Sequence, residues 1–173
     1  MKHFLSLAIL AVLMATPVFL VSCGNDDDML PEESEIGKPT ITSWTEPFHE
    51  KDGITDDVKS YMASSLTRYS LVNESTSASS IQLTYATSYA NEGVIYSFSL
   101  TTGKLYSVID TELTVNKTII FQYLNDHYTL IPGSGSNEAM LQYRFTNSDR
   151  SIVITTMKVS DTCFNIDYSF ISK

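Results

Sequence analysis

Between residues 55 and 171 the chain moves between two hydrophobic rhythms. Val58, Tyr61, Met62, Leu66 and Tyr69 recur every three or four residues, which places them on one face of a helix. Thr55 is placed to cap that helix, and Asp56 and Asp57 in its first turn favour the positive end of the helix dipole. A polar loop is expected over 73–80. Three segments with strand character follow at 81–90, 94–100 and 105–113. They are joined by Asn91-Glu92-Gly93 and Thr101-Thr102-Gly103-Lys104, short glycine-bearing links typical of hairpins.

The same order of rhythms then returns. Ile120, Tyr123, Leu124, Tyr128 and Ile131 match the first helical set at a constant offset of 62, although Thr118-Ile119-Ile120-Phe121 alone would read as strand from its β-branching. A loop over 132–137 leads to strand-like segments at 139–146, 151–159 and 163–171, offset by 58 from the first three. The expected fold class is α+β: a tandem repeat of a helix followed by three antiparallel strands, with the helices on one side of the sheet. The expected units are 41–114 and 115–173.

The N-terminus has a different character. Lys2 and His3 precede an uncharged apolar run over 4–20 that holds Pro17, marginal for a membrane span of about 20 apolar residues and suited to a secretory signal over 1–22. Cleavage is expected between Ser22 and Cys23, leaving Cys23 as the lipidation site. Residues 23–40, with Asp26, Asp27, Asp28, Glu32, Glu33 and Glu35, read as a charged tether rather than a calcium loop, because the alternating ligands and fixed glycine of such a loop are missing. With Cys23 lipidated, Cys163 is the other thiol in the chain. No disulfide framework is expected, and Cys163 reads as a buried small residue in a strand.

The Leu20-Val21-Ser22-Cys23 site resembles the bacterial lipobox, and its continuation Gly24-Asn25-Asp26-Asp27-Asp28 is similar to surface lipoproteins of the Bacteroidetes. That resemblance implies an outer-membrane address, lipid-anchored and facing outward, with the periplasmic face as the alternative. Gly53-Ile54-Thr55 with Val58 resembles the helix start of small outer-membrane assembly lipoproteins. Their fold is shared by tandem β-lactamase inhibitor proteins, whose two helix-plus-sheet halves present a concave sheet to a protein partner. The chain lacks the Leu-Gly-x-Pro that closes the helix there.

Charge narrows the partners. The chain carries a net charge of −9, and losing Lys2 with the signal makes the remainder more acidic still, which disfavours nucleic acid and direct adhesion to anionic lipid. Membrane contact is therefore expected through the lipid on Cys23. His49 and His127 have no second histidine at metal spacing, so no metal or other cofactor is expected. No Gly-x-Ser-x-Gly elbow is present, and Gly133-Ser134-Gly135-Ser136 lacks the lysine of a phosphate loop. Asp110 and Glu112 share a strand face, but from one side rather than flanking a substrate.

The remaining signal is aromatic. Tyr85, Tyr89, Tyr96, Tyr106, Tyr143 and Tyr168 fall in strand-like segments. Half-buried sheet packing is the plain explanation. The sharper one takes Tyr85, Tyr89, Tyr96, Tyr106 and Tyr143 as a candidate binding surface, since tyrosine supplies area and a hydroxyl at little entropic cost. The expected function is that of a lipid-anchored cell-envelope protein, not an enzyme, acting as an interaction or binding module toward an unknown protein or glycan. The alternative is a glycan-binding accessory lipoprotein of the outer membrane.

Overall fold

The computed structural model describes residues 37–133 and 136–171. Helix α1 (Thr55–Ser65) is followed by strands β1 (Ser70–Thr76), β2 (Ser80–Ala86), β3 (Gly93–Ser99) and β4 (Leu105–Leu113). Helix α2 (Lys117–His127) is followed by β5 (Thr129–Leu130), β6 (Tyr143–Thr146), β7 (Ile152–Lys158) and β8 (Cys163–Phe170). All eight strands form one antiparallel sheet in the order β1-β2-β3-β4-β8-β7-β6-β5.

This corrects the expected tandem repeat of a helix and three strands. Each helix is followed by four strands, and the central pairing of β4 with β8 merges them all into one sheet dominating the fold. The two unexpected strands, β1 and β5, are the edges. All seven residues of β1 are exposed, so it carries no inward apolar alternation and reads as a polar loop. Its partner β2 defines it instead, from Ser70 opposite Ala86 to Thr76 opposite Ile81. Residues 138–140, the last two of them expected to open the strand at 139–146, form a 3₁₀ turn ending at Leu141, whose φ is +48°.

The α1 start is also shifted. Ile54 is the N-cap, and Asp57 accepts a hydrogen bond from its backbone N–H at 2.9 Å. Thr55 lies inside the helix. Gly53 has a packing role: a Cβ there would lie 2.5 Å from the Phe48 ring.

Both helices bury their apolar sides, Val58 and Met62 on α1 and Ile120 and Leu124 on α2, in one core with a single sheet face. A row of side chains crosses six strands on that face: Leu83, Tyr96, Val108, Tyr168, Ile154 and Phe145, each essentially inaccessible. Burying such residues is worth about 1.5–3 kcal/mol apiece.

Residues 40–50 form a strap across this layer. Asn116 bonds Thr40, the Trp44 ring packs edge-on against Tyr123 of α2, and the Tyr61 hydroxyl of α1 donates to the Glu46 carbonyl at 2.7 Å. The Phe48 N–H donates to the Tyr96 hydroxyl on the sheet. The strap thus touches both helices and the sheet beneath them.

Candidate functional site

The side chains between the core positions point to the opposite face of the sheet, where no helix of the described residues lies. One row there reads Thr84, Ile95, Ile109, Asp167, Thr155 and Arg144. It mixes hydroxyl, aliphatic and charged groups at half-buried or exposed positions, the composition of a surface rather than a core. Asp167 has an enclosed Oδ1 without a partner among the described residues, and burial pushes its carboxyl above the usual range.

At one end of this face lies a trough of about 600 Å³. Thr84, Ile95, Thr111 and Asn165 line its floor; Tyr89, in the β2–β3 turn, and Val159, in the β7–β8 turn, flank it. The depression follows from small residues in register: Ala86 pairs with Gly93, and Gly93 with Thr111. A Cβ on Gly93 would lie 2.6 Å from the Tyr85 carbonyl oxygen, so the backbones approach there as only glycine allows.

The rim is tied down from below. Asn91 takes a left-handed φ of +66°, and the Thr87 hydroxyl donates to Glu92 Oε2 at 2.6 Å while accepting the Tyr89 N–H at 3.1 Å. The Glu92 side chain turns away from the trough into the core, where Arg68 Nη1 meets its Oε1 at 2.7 Å. Arg68 Nη2 also reaches Glu112 Oε1 at 3.1 Å. That oxygen accepts from Trp44 Nε1 at 3.0 Å and from the Tyr69 hydroxyl at 3.2 Å as well.

Three buried carboxyls, Glu92, Asp110 and Glu112, therefore gather near one guanidinium. Asp110 Oδ1 and Glu112 Oε2 have no partner among the described residues. Burial, then the neighbouring Glu112 charge, pushes Asp110 well above the carboxylate range. Burial likewise pushes Glu112 up to about 7 against the pull of Arg68. The expected acid pair is thus a core feature, on the helix-covered face.

A second polar cluster lies under the strap. Tyr128 donates to Glu46 Oε1 at 2.6 Å, and Tyr123 to Oε2 at 3.1 Å. His49 Nε2 lies 3.2 Å from the Tyr128 hydroxyl and 3.8 Å from Glu46, and its ring stacks on Tyr168. Its Nδ1 is 2.7 Å from the Pro47 carbonyl. A histidine beside a carboxylate is chemically suggestive, but every polar atom of this trio faces another strap or helix group. His127 is exposed, stacked on Tyr123. Among the described residues no three His, Cys, Asp or Glu side chains gather as metal ligands.

The five candidate tyrosines do not share a surface. Tyr85 and Tyr96 are buried on the core side, packed edge-on against each other. Tyr143 is half-buried against Phe121 of α2, also on the covered side. Tyr106 is exposed at a bulge in β4, near the β3–β4 hairpin, at the far end of the sheet from Tyr89. Tyr85 and Tyr89 both line the trough, and of the two Tyr89, at 50%, is the exposed one. Tyr168 is buried too.

Cys163 is a buried free thiol lining the trough. Cys23 and the signal lie outside the described residues. Sequence reading missed Glu92 and Arg68, whose 24-residue separation leaves no local pattern. The glycine in Asn91-Glu92-Gly93 was visible, but as a turn signal rather than a floor. Compared with protein-family models, curated proteins and solved structures, the chain finds no match in any of the three.

Proposed function

We propose that this is a lipid-anchored protein of the cell envelope, held at the outer membrane through Cys23 and facing outward, which works as a non-catalytic interaction module. Its contact surface is the open face of the sheet. The observation that carries this reading is the asymmetry of the sheet, with helices and strap packed on one face and half-exposed Thr, Ile, Asn and Asp side chains on the other. The acidic run after Cys23 and the lipobox support the address. A glycan partner in place of a protein is the second reading, favoured by the uncharged lining of the trough.

The test uses the mature chain as bait in native envelope extracts. Thr155→Arg and Tyr89→Ala on the open face should each reduce capture of the partner, while Gln122→Arg, at an exposed position of α2, should leave it intact. Loss with Gln122→Arg alone would sink the assignment of the face. Labelled palmitate entering the parent but not Cys23→Ser would support the anchor, and equal labelling would refute it.

A further inference from the structure

The trough has features that the rest of the open face lacks. Its rim is preformed: Asn91 holds a left-handed backbone, Thr87 is bonded to both Tyr89 and Glu92, and Glu92 is ion-paired in the core with Arg68. Rigid presentation of an aromatic ring lowers the entropic cost of binding to it. In a chain of net charge −9, the trough displays no ionised side chain of its own. Its one acid, Glu92, keeps its side chain fully buried on the Arg68 side. What remains available is uncharged: the Thr84 hydroxyl, the Ile95 side chain, the Tyr89 ring and the Asn165 amide. Thr111 donates to Asn165 Oδ1 at 3.0 Å, so the Asn165 NH₂ is left to donate elsewhere.

The backbone beneath the trough excludes one class of occupant. β2, β3, β4 and β8 lie inside the sheet with ladder partners on both sides, so their amides and carbonyls are unavailable to a peptide strand. Recognition must run through side-chain hydroxyls, an amide and an aromatic face. A ligand that meets them carries many neutral hydroxyls beside C–H faces that lie flat on a ring, which is the chemistry of a sugar. A volume of about 600 Å³ falls within the usual range for small-molecule sites, about 300–1,000 Å³.

We propose that the trough is a site for an uncharged oligosaccharide, with Tyr89 as the stacking platform, Asn165 and Thr84 as hydrogen-bonding groups, and Glu92, through Thr87, as the residue that positions the rim. This rests on reading the open face as the contact surface, and it names the chemistry of the partner there.

Calorimetric titration of the full mature chain with neutral glucose and mannose hexasaccharides of different linkage, and with polygalacturonate as an acidic comparator, tests it. At least one neutral sugar should bind, and Tyr89→Ala should weaken it about tenfold or more. Thr155→Arg, on the same face but away from the trough, should not. Thr87→Val removes the rim bond and leaves the buried Glu92 Oε2 without its hydroxyl donor, while Arg68 still pairs with Oε1. It should speed amide exchange over residues 87–92, lower the unfolding midpoint and weaken the sugar about threefold, with Thr87→Ser, which keeps the hydroxyl, restoring all three. Equal affinity in Tyr89→Ala, polygalacturonate binding as tightly as the neutral sugars, or faster rim exchange at unchanged affinity would each overturn the corresponding part. If no sugar binds while Thr155→Arg still abolishes capture of an envelope protein, the sugar site falls and the contact-face reading stands. If Thr155→Arg and Tyr89→Ala are silent toward every partner, both fall.

Discussion

Glu46 and Glu112 are both buried carboxyls that hold the strap, yet they are solvated by the protein in opposite ways. Glu46 distributes its donors, with Tyr128 on one oxygen and Tyr123 on the other. Glu112 receives Trp44, Tyr69 and Arg68 all on Oε1, leaving Oε2 enclosed with no partner among the described residues, and it shares its cation with Glu92 while Asp110 lies nearby. The number of donors is similar; their distribution, and the company of other acids, differ. A buried carboxyl with one oxygen bare is held best as the acid, whose proton serves the bare side. The Arg68 cluster is therefore the part of the core that senses pH.

That contrast can be broken most severely at Arg68. Arg68→Met leaves Glu92 and Glu112 buried without their cation and should cost about 3 kcal/mol in urea unfolding at pH 8, the low end for a broken buried pair because Arg68 is partly exposed. The loss should shrink at pH 5, below the value of about 7 to which burial pushes Glu112, because that acid is then protonated.

The intact protein carries the same signature. Folded Glu112 holds its proton up to about 7, whereas the unfolded chain releases it near 4.5. The folded state thus binds more protons between those values, and stability should fall as pH rises through that window. Glu112 supplies about 3 kcal/mol of the fall, which Glu112→Gln, a mimic of the protonated acid, should remove. An unchanged slope in that variant would place the titrating group elsewhere. In the Glu46 cluster a single donor matters less: Tyr128→Phe should cost about 1 kcal/mol. On the open face, Tyr89→Ala should stay within about 0.5 kcal/mol of the parent by the same urea measurement, because half of that side chain is already in water.

Both helices were legible because Val58, Met62, Ile120 and Leu124 repeat at helical spacing and are the residues that became buried. The turns at Asn91-Glu92-Gly93 and Thr102-Gly103 were legible from glycine. The eight-stranded sheet was not, because an edge strand such as β1 owes its conformation to its partner rather than to any alternation of its own. The tyrosines were half legible. In β3, Val94, Tyr96 and Phe98 alternate with Ile95, Ser97 and Ser99, and that period of two already places Tyr96 on the apolar side. Tyr89 could be separated from the others only by knowing that its turn folds over the face that no helix covers. The Arg68–Glu92 pair leaves no trace in sequence, since two charges so far apart look like any two surface residues until the sheet brings them together.

Trp44 is the chain's one tryptophan, and it sits where the strap meets the sheet, its indole N–H on Glu112 and its ring against Tyr123. The protein therefore carries its own optical gauge. Ultraviolet emission from this single indole should appear at the short wavelengths of a dry site while the strap is seated. It should move to longer wavelengths when the strap lifts, and change in intensity as the Glu112 proton comes and goes. Seating of the strap and the charge state of the core can thus be followed in unlabelled protein from one cuvette.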